Sequence, residues 1–305
     1  MIPMNESKLM QGVAEWCAFY RENIHRFVED YLHIKLKLFQ KIVLTMMNMC
    51  AITVFIATRG IGKTYLSSIF CVCRCILYPG TKICIASGTR GQSLNVLEKI
   101  NLELKSRSPE LAAEIDEKET QINGTNAKVV FKNGSYIKVV TASDSARGNR
   151  ANILLLDEAR MIRKDIIDTI LRKFLTQRRM PEYRELKESQ RKAEYDKEKN
   201  MTLYLTSAYW SDSWIYTKCQ DTFKEMMNGR RQFICGLPYH LSIQEGLLDK
   251  DQVIDEMADS DFSEVKFSIN ILCWLNLLKR LPTACAGSCS SRRKWRVNTG
   301  ANRGT

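Results

Sequence analysis

Val54-Phe55-Ile56-Ala57-Thr58-Arg59-Gly60-Ile61-Gly62-Lys63-Thr64 reads as a β-strand running into a loop that cradles phosphate. Gly60 and Gly62 lack Cβ atoms, so the backbone can turn tightly and aim its N–H groups at phosphate oxygens, at the positive end of the helix that follows. Lys63 supplies a point charge for the β- and γ-phosphates, and the Thr64 hydroxyl can ligate Mg²⁺. Against the pattern G-x-x-x-x-G-K-[ST] the first glycine is replaced by Ala57. About ninety residues on, Ile153-Leu154-Leu155-Leu156-Asp157-Glu158 supplies the partner such a loop needs. Four consecutive aliphatics describe a strand buried on both faces of a parallel sheet, ending in two carboxylates at its C-terminal edge, where ligands bind. Asp157 is the candidate for the Mg²⁺ shell, and Glu158 for orienting and deprotonating an attacking water. Lys63-Thr64 alone would pass for a solvated helix start, and Asp157-Glu158 for an acidic strand exit. In this order and on these elements they imply that the chain binds and cleaves a nucleoside triphosphate with Mg²⁺.

The chain of 305 residues has room for one large α/β domain with appendages. Its net charge is +12, but residues 266–305 hold eight basic residues and no acid, so only a third of that charge belongs to the rest. A polyanion site on the folded part would have to rest on local patches. Of the eleven cysteines, Cys71, Cys73 and Cys75 sit two apart within the helix expected after the loop, a spacing that spreads them around it. With only three histidines, far apart, these are expected to be small buried thiols in a reducing compartment, not metal ligands. Met1 is followed by the polar Asn5, Glu6 and Lys8, so no secretory signal is expected. Ile42–Ala57, interrupted by Thr45 and Asn48, divides into a helix end and a strand and is not a membrane span.

Residues 7–50 read as mostly helical, with Gln40 seventeen residues before the loop begins. A glutamine amide offers one donor and one acceptor to an adenine edge; a surface role is the alternative. A helix is expected over 62–77, ended by Tyr78-Pro79-Gly80, then a strand at Lys82–Ala86, the segment Ser87-Gly88-Thr89-Arg90-Gly91-Gln92 and a helix near 93–106. Alternation over 127–141 around Asn133-Gly134 predicts a hairpin. Residues 172–200 are dense in charge and read as a solvated helical excursion. Strand Met201–Leu205 then carries Thr206-Ser207-Ala208 to the sheet edge, where hydroxyls can sense the γ-phosphate or the water.

Together these segments, over about residues 30–266, resemble the ATPase part of the large terminase subunit of tailed bacteriophages. That family commonly lacks the first loop glycine and carries an arginine four residues before the lysine, as Ala57 and Arg59 do here. The resemblance continues in Ser145-Ala146-Arg147-Gly148-Asn149-Arg150-Ala151-Asn152, in Asp157-Glu158-Ala159, in Thr206-Ser207-Ala208-Tyr209, and in Leu237-Pro238-Tyr239, Glu245-Gly246-Leu247-Leu248 and Phe262-Ser263-Glu264. It implies that Ala57 to Thr64 bind ATP, and that Arg59 neutralises charge developing on the transferred phosphoryl group, a salt bridge to a neighbour being its alternative role. Arg147 or Arg150 would reach a neighbouring subunit's nucleotide, and Thr206 to Ala208 would couple nucleotide state to DNA grip. It further implies a packaging motor for double-stranded DNA, with a portal ring and a small terminase subunit as partners, a ring of copies when docked, and work in the host bacterium's cytoplasm without a membrane.

The fold expected is α/β: a P-loop NTPase three-layer sandwich with a mainly parallel sheet, a small C-terminal subdomain and an irregular basic tail. The divisions are a helical segment at 1–50 carrying Gln40, an ATPase core at 51–208, a linker subdomain at 209–266 and the tail at 267–305. A complete large terminase adds a two-metal nuclease, and 266–305 holds no carboxylate to bind the metals. Leu281 to Trp295 shows neither helix nor strand periodicity, so a truncation or frame shift near residue 268 is expected, a basic nucleic-acid-binding tail being the alternative. Two other functions fit the motifs less well. One is a superfamily-2-type helicase, whose acidic box also opens Asp-Glu-Ala but which needs a second RecA-like domain. The other is a prophage remnant that keeps nucleotide binding without work.

Overall fold

The elements follow the apolar runs closely. In the computed structural model, which describes residues 6–58, 60–124, 126–179, 198–207 and 212–258, strands β1 (Ile52–Ala57), β2 (Lys82–Ser87), β3 (Lys128–Val130), β4 (Tyr136–Thr141), β5 (Ile153–Leu156), β6 (Met201–Thr206) and β7 (Gln232–Leu237) form one sheet in the order β3-β4-β2-β5-β6-β1-β7. All neighbouring pairs are parallel except β3 with β4, the expected hairpin, whose turn has Gly134 at φ +80°. An exposed β-turn of this hand favours glycine there.

Residues alternate between two cores across the sheet, as a period of two requires. Phe55, Ile83, Ile85, Ile153, Leu155, Leu203 and Leu205 face one core. It is completed by α1 (Glu6–Glu22), α2 (Ile24–Asp30), α3 (Leu38–Met49), α4 (Lys63–Leu77) and α5 (Arg90–Glu98). Val54, Ile56, Cys84, Ala86, Leu154, Leu156 and Tyr204 face the other, under the helix Lys164–Thr169, the 3₁₀ turns Leu171–Thr176 and the helix Trp214–Met227. The three-layer sandwich with a mainly parallel sheet is thus the observed architecture. β1 and β2 flank α4 in sequence, but β5 and β6 lie between them in the sheet. The C-terminal edges of β5, β6 and β1 therefore stand side by side.

Several boundaries differ from expectation. The helix after the loop starts at Lys63, with Gly62 as its N-cap, and α5 begins at Arg90 and passes through a π-helical stretch, Lys99–Leu104, to Arg107. Past the division expected at 208/209, the described part of 209–266 adds a strand and a helix to the sheet. β7 pairs with β1 along its whole length, Ile52 with Gln232 through Ala57 with Leu237, and the helix Trp214–Met227 packs on it. β1 is buried on both faces, and without β7 its backbone would be an unpaired edge. The tail at 267–305 lies outside the described residues, as do 180–197 of the charged excursion. No helix among the described residues is long and apolar enough to cross a membrane.

Cys71, Cys73 and Cys75 are buried in α4 as free thiols, and burial pushes each of them up from the usual thiol range. Among the described residues no group of three or more His, Cys, Asp or Glu is arranged to hold a metal ion.

At the pole opposite the loop, the two sides of the excursion are held by a charge cluster. Arg179 donates to both carboxylate oxygens of Glu198, at 2.7–3.2 Å, and to Pro79 O at 2.9 Å. Arg74 reaches Glu198 at 3.0 Å and stacks on Tyr78 at 3.6 Å. These arginines lie where α1, α3 and α4 end, and Arg21 and Arg231 donate to Leu77 O and Met49 O. Cations at helix C-termini offset the negative ends of the dipoles. Burial alone would raise the Glu198 carboxyl, but Arg179 and Arg74 outweigh it and hold it below the usual range. Its contribution to stability is therefore complete above the ordinary glutamate pKa and lost as pH falls through the depressed one. Glu198→Gln is expected to cost about 3 kcal/mol at neutral pH, by leaving two largely buried guanidiniums short of their carboxylate, and to flatten the acid limb of stability. Denaturant unfolding at several pH values checks both.

Candidate functional site

The phosphate loop leaves β1 at Ala57 and turns through Gly60 at φ +82° and Gly62 at φ +86°, a region L-residues rarely adopt. Leu247 and Leu248 line the space beside Gly60: a Cβ there would make ordinary contact, 3.4 Å from Leu248 Cδ1 and 3.5 Å from Leu247 O, so the positive φ is what calls for glycine. Ile61 is buried in the first core and anchors the loop. Gly62 O accepts from Leu66 N at 2.9 Å, starting α4, so Lys63 and Thr64 occupy its first turn.

Lys63 is where the strand ends meet. Its Nζ donates to Glu158 Oε1 at 2.9 Å, Ser207 Oγ at 2.9 Å and Ala57 O at 3.4 Å. One ammonium thus ties the ends of β1, β5 and β6. Asp157 is buried just past β5, and its Oδ1 accepts from Glu158 N at 3.1 Å. Burial first, and the Glu158 charge second, push the Asp157 carboxyl up to about 6, against the pull of Lys63. Glu158 is the opposite case: burial would raise it, but Lys63 and then Arg160 hold it below the usual range. Its backbone has φ +45° and ψ +50°, one of two non-glycine residues with positive φ among the described residues. Strain of this kind costs about 1–3 kcal/mol and gathers where a side chain must be aimed. Thr206 and Ser207 are buried, and the Thr206 hydroxyl donates to Ser207 O at 2.9 Å.

One ammonium and two adjacent carboxylates beside a loop turned by two positive-φ glycines fit a triphosphate with a divalent ion. Asp157 and Thr64 supply hard oxygen donors of the kind Mg²⁺ takes, and burial together with the Glu158 charge disfavours the anionic form of Asp157, a cost a bound cation would offset.

Other expected residues fall elsewhere. Gln40 is buried in the first turn of α3, and its Oε1 accepts from Lys37 N at 2.9 Å, so the acceptor half of its amide closes a helix turn. Lys37 donates to Glu245 O at 2.6 Å, three residues before Leu248, whose side chain lines the space beside Gly60. Gln40 thus lies on the loop's side of the molecule, engaged as a cap. Arg147 is exposed and pairs with Asp144 at 3.0 Å, while the Arg150 guanidinium donates to Asn149 O at 3.3 Å. Neither is brought to Lys63 within this chain. Arg59 and Ala208 lie outside the described residues. The motifs did not single out Arg160, whose Nε stands 3.4 Å from Glu158 Oε2; its one sequence signal is its place two residues after that acid.

The fold and this convergence have the arrangement of a P-loop sandwich. Residues 54–183 match the family model described as terminase large subunit, T4-like virus type, N-terminal, a stretch containing both Lys63 and the Asp157-Glu158 pair. No curated protein matches the chain in sequence. Among solved structures, the large terminase ATPase domain of Thermus phage P74-26 is similar at TM-score 0.54 and 15% identity, over 80% of this chain and 95% of that one. The large terminase of bacteriophage HK97 is similar at TM-score 0.58 and 13% identity, over 83% of this chain and 55% of its own. That of the thermophilic bacteriophage D6E, solved with ADP, gives 0.53 and 12%, over 79% and 54%. The chain spans about half the length of the HK97 and D6E proteins. The resemblance read from the motifs holds: the described part has the fold of a large terminase ATPase domain, and these matches favour neither alternative function.

Proposed function

We propose that this chain is the ATPase part of a large terminase subunit, which cleaves ATP to drive double-stranded viral DNA into a procapsid. The observation that carries the reading is the convergence of Lys63, Glu158 and Ser207 at three adjacent strand ends, with each contact to Lys63 at 2.9 Å. An arriving triphosphate competes with Glu158 for the Lys63 ammonium. Once Lys63 turns to the β- and γ-phosphates, Glu158 Oε1 is released toward the water that attacks the γ-phosphorus. The carboxylate takes the water's proton as phosphate separates from ADP. Thr64 and Asp157 would hold Mg²⁺, which when bound spreads the charge of the phosphates. Ser207 loses its Lys63 contact in the same exchange, a route from the nucleotide to β6 and the segment beyond it.

By the same resemblance Arg59 neutralises the transferred phosphoryl group, and the exposed Arg147 and Arg150 face outward, available to a neighbouring subunit's nucleotide. The partners are double-stranded DNA, a portal ring and a small terminase subunit, with a ring of copies at the procapsid in the host cytoplasm. ATP turnover measured against added duplex DNA and procapsid tests the proposal. Turnover that rises with both is expected; turnover indifferent to DNA would remove the motor, and none at all would remove the ATPase.

A further inference from the structure

Glu158 has two cationic partners, one on each carboxylate oxygen. Lys63 holds Oε1 at 2.9 Å, and Arg160 Nε stands 3.4 Å from Oε2. The pair is largely shielded, the Arg160 and Glu158 side chains being 18% and 22% exposed. The 3₁₀ turn that carries Arg160, Ala159–Met161, is itself fixed. Ala159 and Ile162 are buried in the second core, and Met161 N donates to Glu158 O at 2.8 Å. On its outer side Met161 Cβ lies 3.3 Å from where a Cβ on Gly88 would stand, so the turn abuts the Ser87–Gly88 segment.

The two cations cannot play the same part. Lys63 belongs to the phosphate loop, and its ammonium is the group a nucleotide draws away. Arg160 belongs to the same turn as Glu158 and moves with it. A guanidinium on Oε2 leaves Oε1 free once Lys63 departs, and it keeps the carboxylate from swinging about χ3, a broad torsion with no steric preference of its own. We infer that Arg160 is a positioning residue for Glu158, holding that carboxylate with Oε1 toward the attacking water during the interval when Lys63 has turned to phosphate. The inference rests on the ATPase reading above.

The test uses the whole chain with duplex DNA, comparing Arg160→Ala and Glu158→Gln, each alone and together. Steady-state phosphate release gives kcat and KM for ATP, and a fluorescent ADP analogue reports the integrity of the site. Arg160→Ala is expected to lower kcat about tenfold or more, the scale of a misplaced catalytic group, with KM and analogue affinity within about twofold. In the Glu158→Gln background the same change should alter kcat by less than about twofold, because a residue acting through Glu158 has nothing left to position. An unchanged kcat, a parallel loss of analogue binding, or an equal further loss in the Glu158→Gln background would each overturn the inference while leaving the ATPase standing. Absence of phosphate release from the unaltered protein would instead overturn the ATPase reading, and this inference with it.

Discussion

Lys63→Ala is expected to abolish phosphate release, by at least about a hundredfold, and to weaken nucleotide binding with it. Removing one partner of a shielded charge pair costs about 2–5 kcal/mol, and here the same ammonium serves two pairs in turn. Before binding it satisfies Glu158, Ser207 and Ala57 O; afterwards it serves the phosphates. The alanine variant therefore leaves Glu158 with Arg160 as its remaining cation and leaves the triphosphate without its point charge. Lys63→Arg should fail nearly as badly. The three acceptors converge on one tetrahedral ammonium, and a planar guanidinium fork meets them at the wrong distances. Calorimetric titration with ATP and a phosphate-release assay check the two losses. The thermal unfolding midpoint should fall as well, because Glu158 is left in a shielded site with Arg160 as its one remaining cation among the described residues, although the first core under α4 is untouched. An arginine variant that turned over normally would mean that charge alone, not this geometry, matters at position 63.

The parts of this architecture that were legible in the sequence are those where both faces of an element are buried. Val54 to Ala57 and Ile153 to Leu156 could be read as central parallel strands because helices cover both sides, and such strands carry no polar positions. Gly60 and Gly62 were legible for a different reason: their positive φ needs the missing Cβ. β7 was harder to see. It is a half-buried edge, Gln232-Phe233-Ile234-Cys235-Gly236-Leu237, with a glycine inside it, and its place beside β1 is set by a pairing across about 180 residues that no local pattern records. Gln40 was legible as a residue before the loop but not as a cap, since its bond to Lys37 N depends on where α3 begins. The family resemblance points Arg147 and Arg150 to a nucleotide, yet among the described residues their guanidiniums donate to Asp144 and Asn149 O. Arg160 escaped notice because an arginine two residues past an acidic pair is ordinary on a solvated turn. The left-handed backbone at Glu158 starts the turn that carries Arg160, and no local pattern records it.

Glu158→Gln is expected to separate binding from chemistry, lowering kcat about 10²–10⁴-fold, the range for losing a general base, while ATP binding is kept or tightened. Glutamine has nearly the same shape, can keep a contact to Lys63 through its carbonyl, and meets the same strain at φ +45°. What it lacks is charge and basicity. In the unaltered protein the carboxylate binds Lys63 at 2.9 Å and so competes with phosphate; a neutral amide competes less, and Lys63 is released to the nucleotide at lower cost. Asp157 changes in the same direction, since the Glu158 charge is the second largest cause raising it. Its carboxyl should fall and stay ionised, which favours a bound cation. Analogue titration with and without Mg²⁺, beside single-turnover phosphate release, resolves these effects. The expected result is affinity equal to or above that of the unaltered protein, with almost no product. Hydrolysis at the original rate would take Glu158 out of its role and leave Asp157 as the remaining described carboxylate at the end of β5.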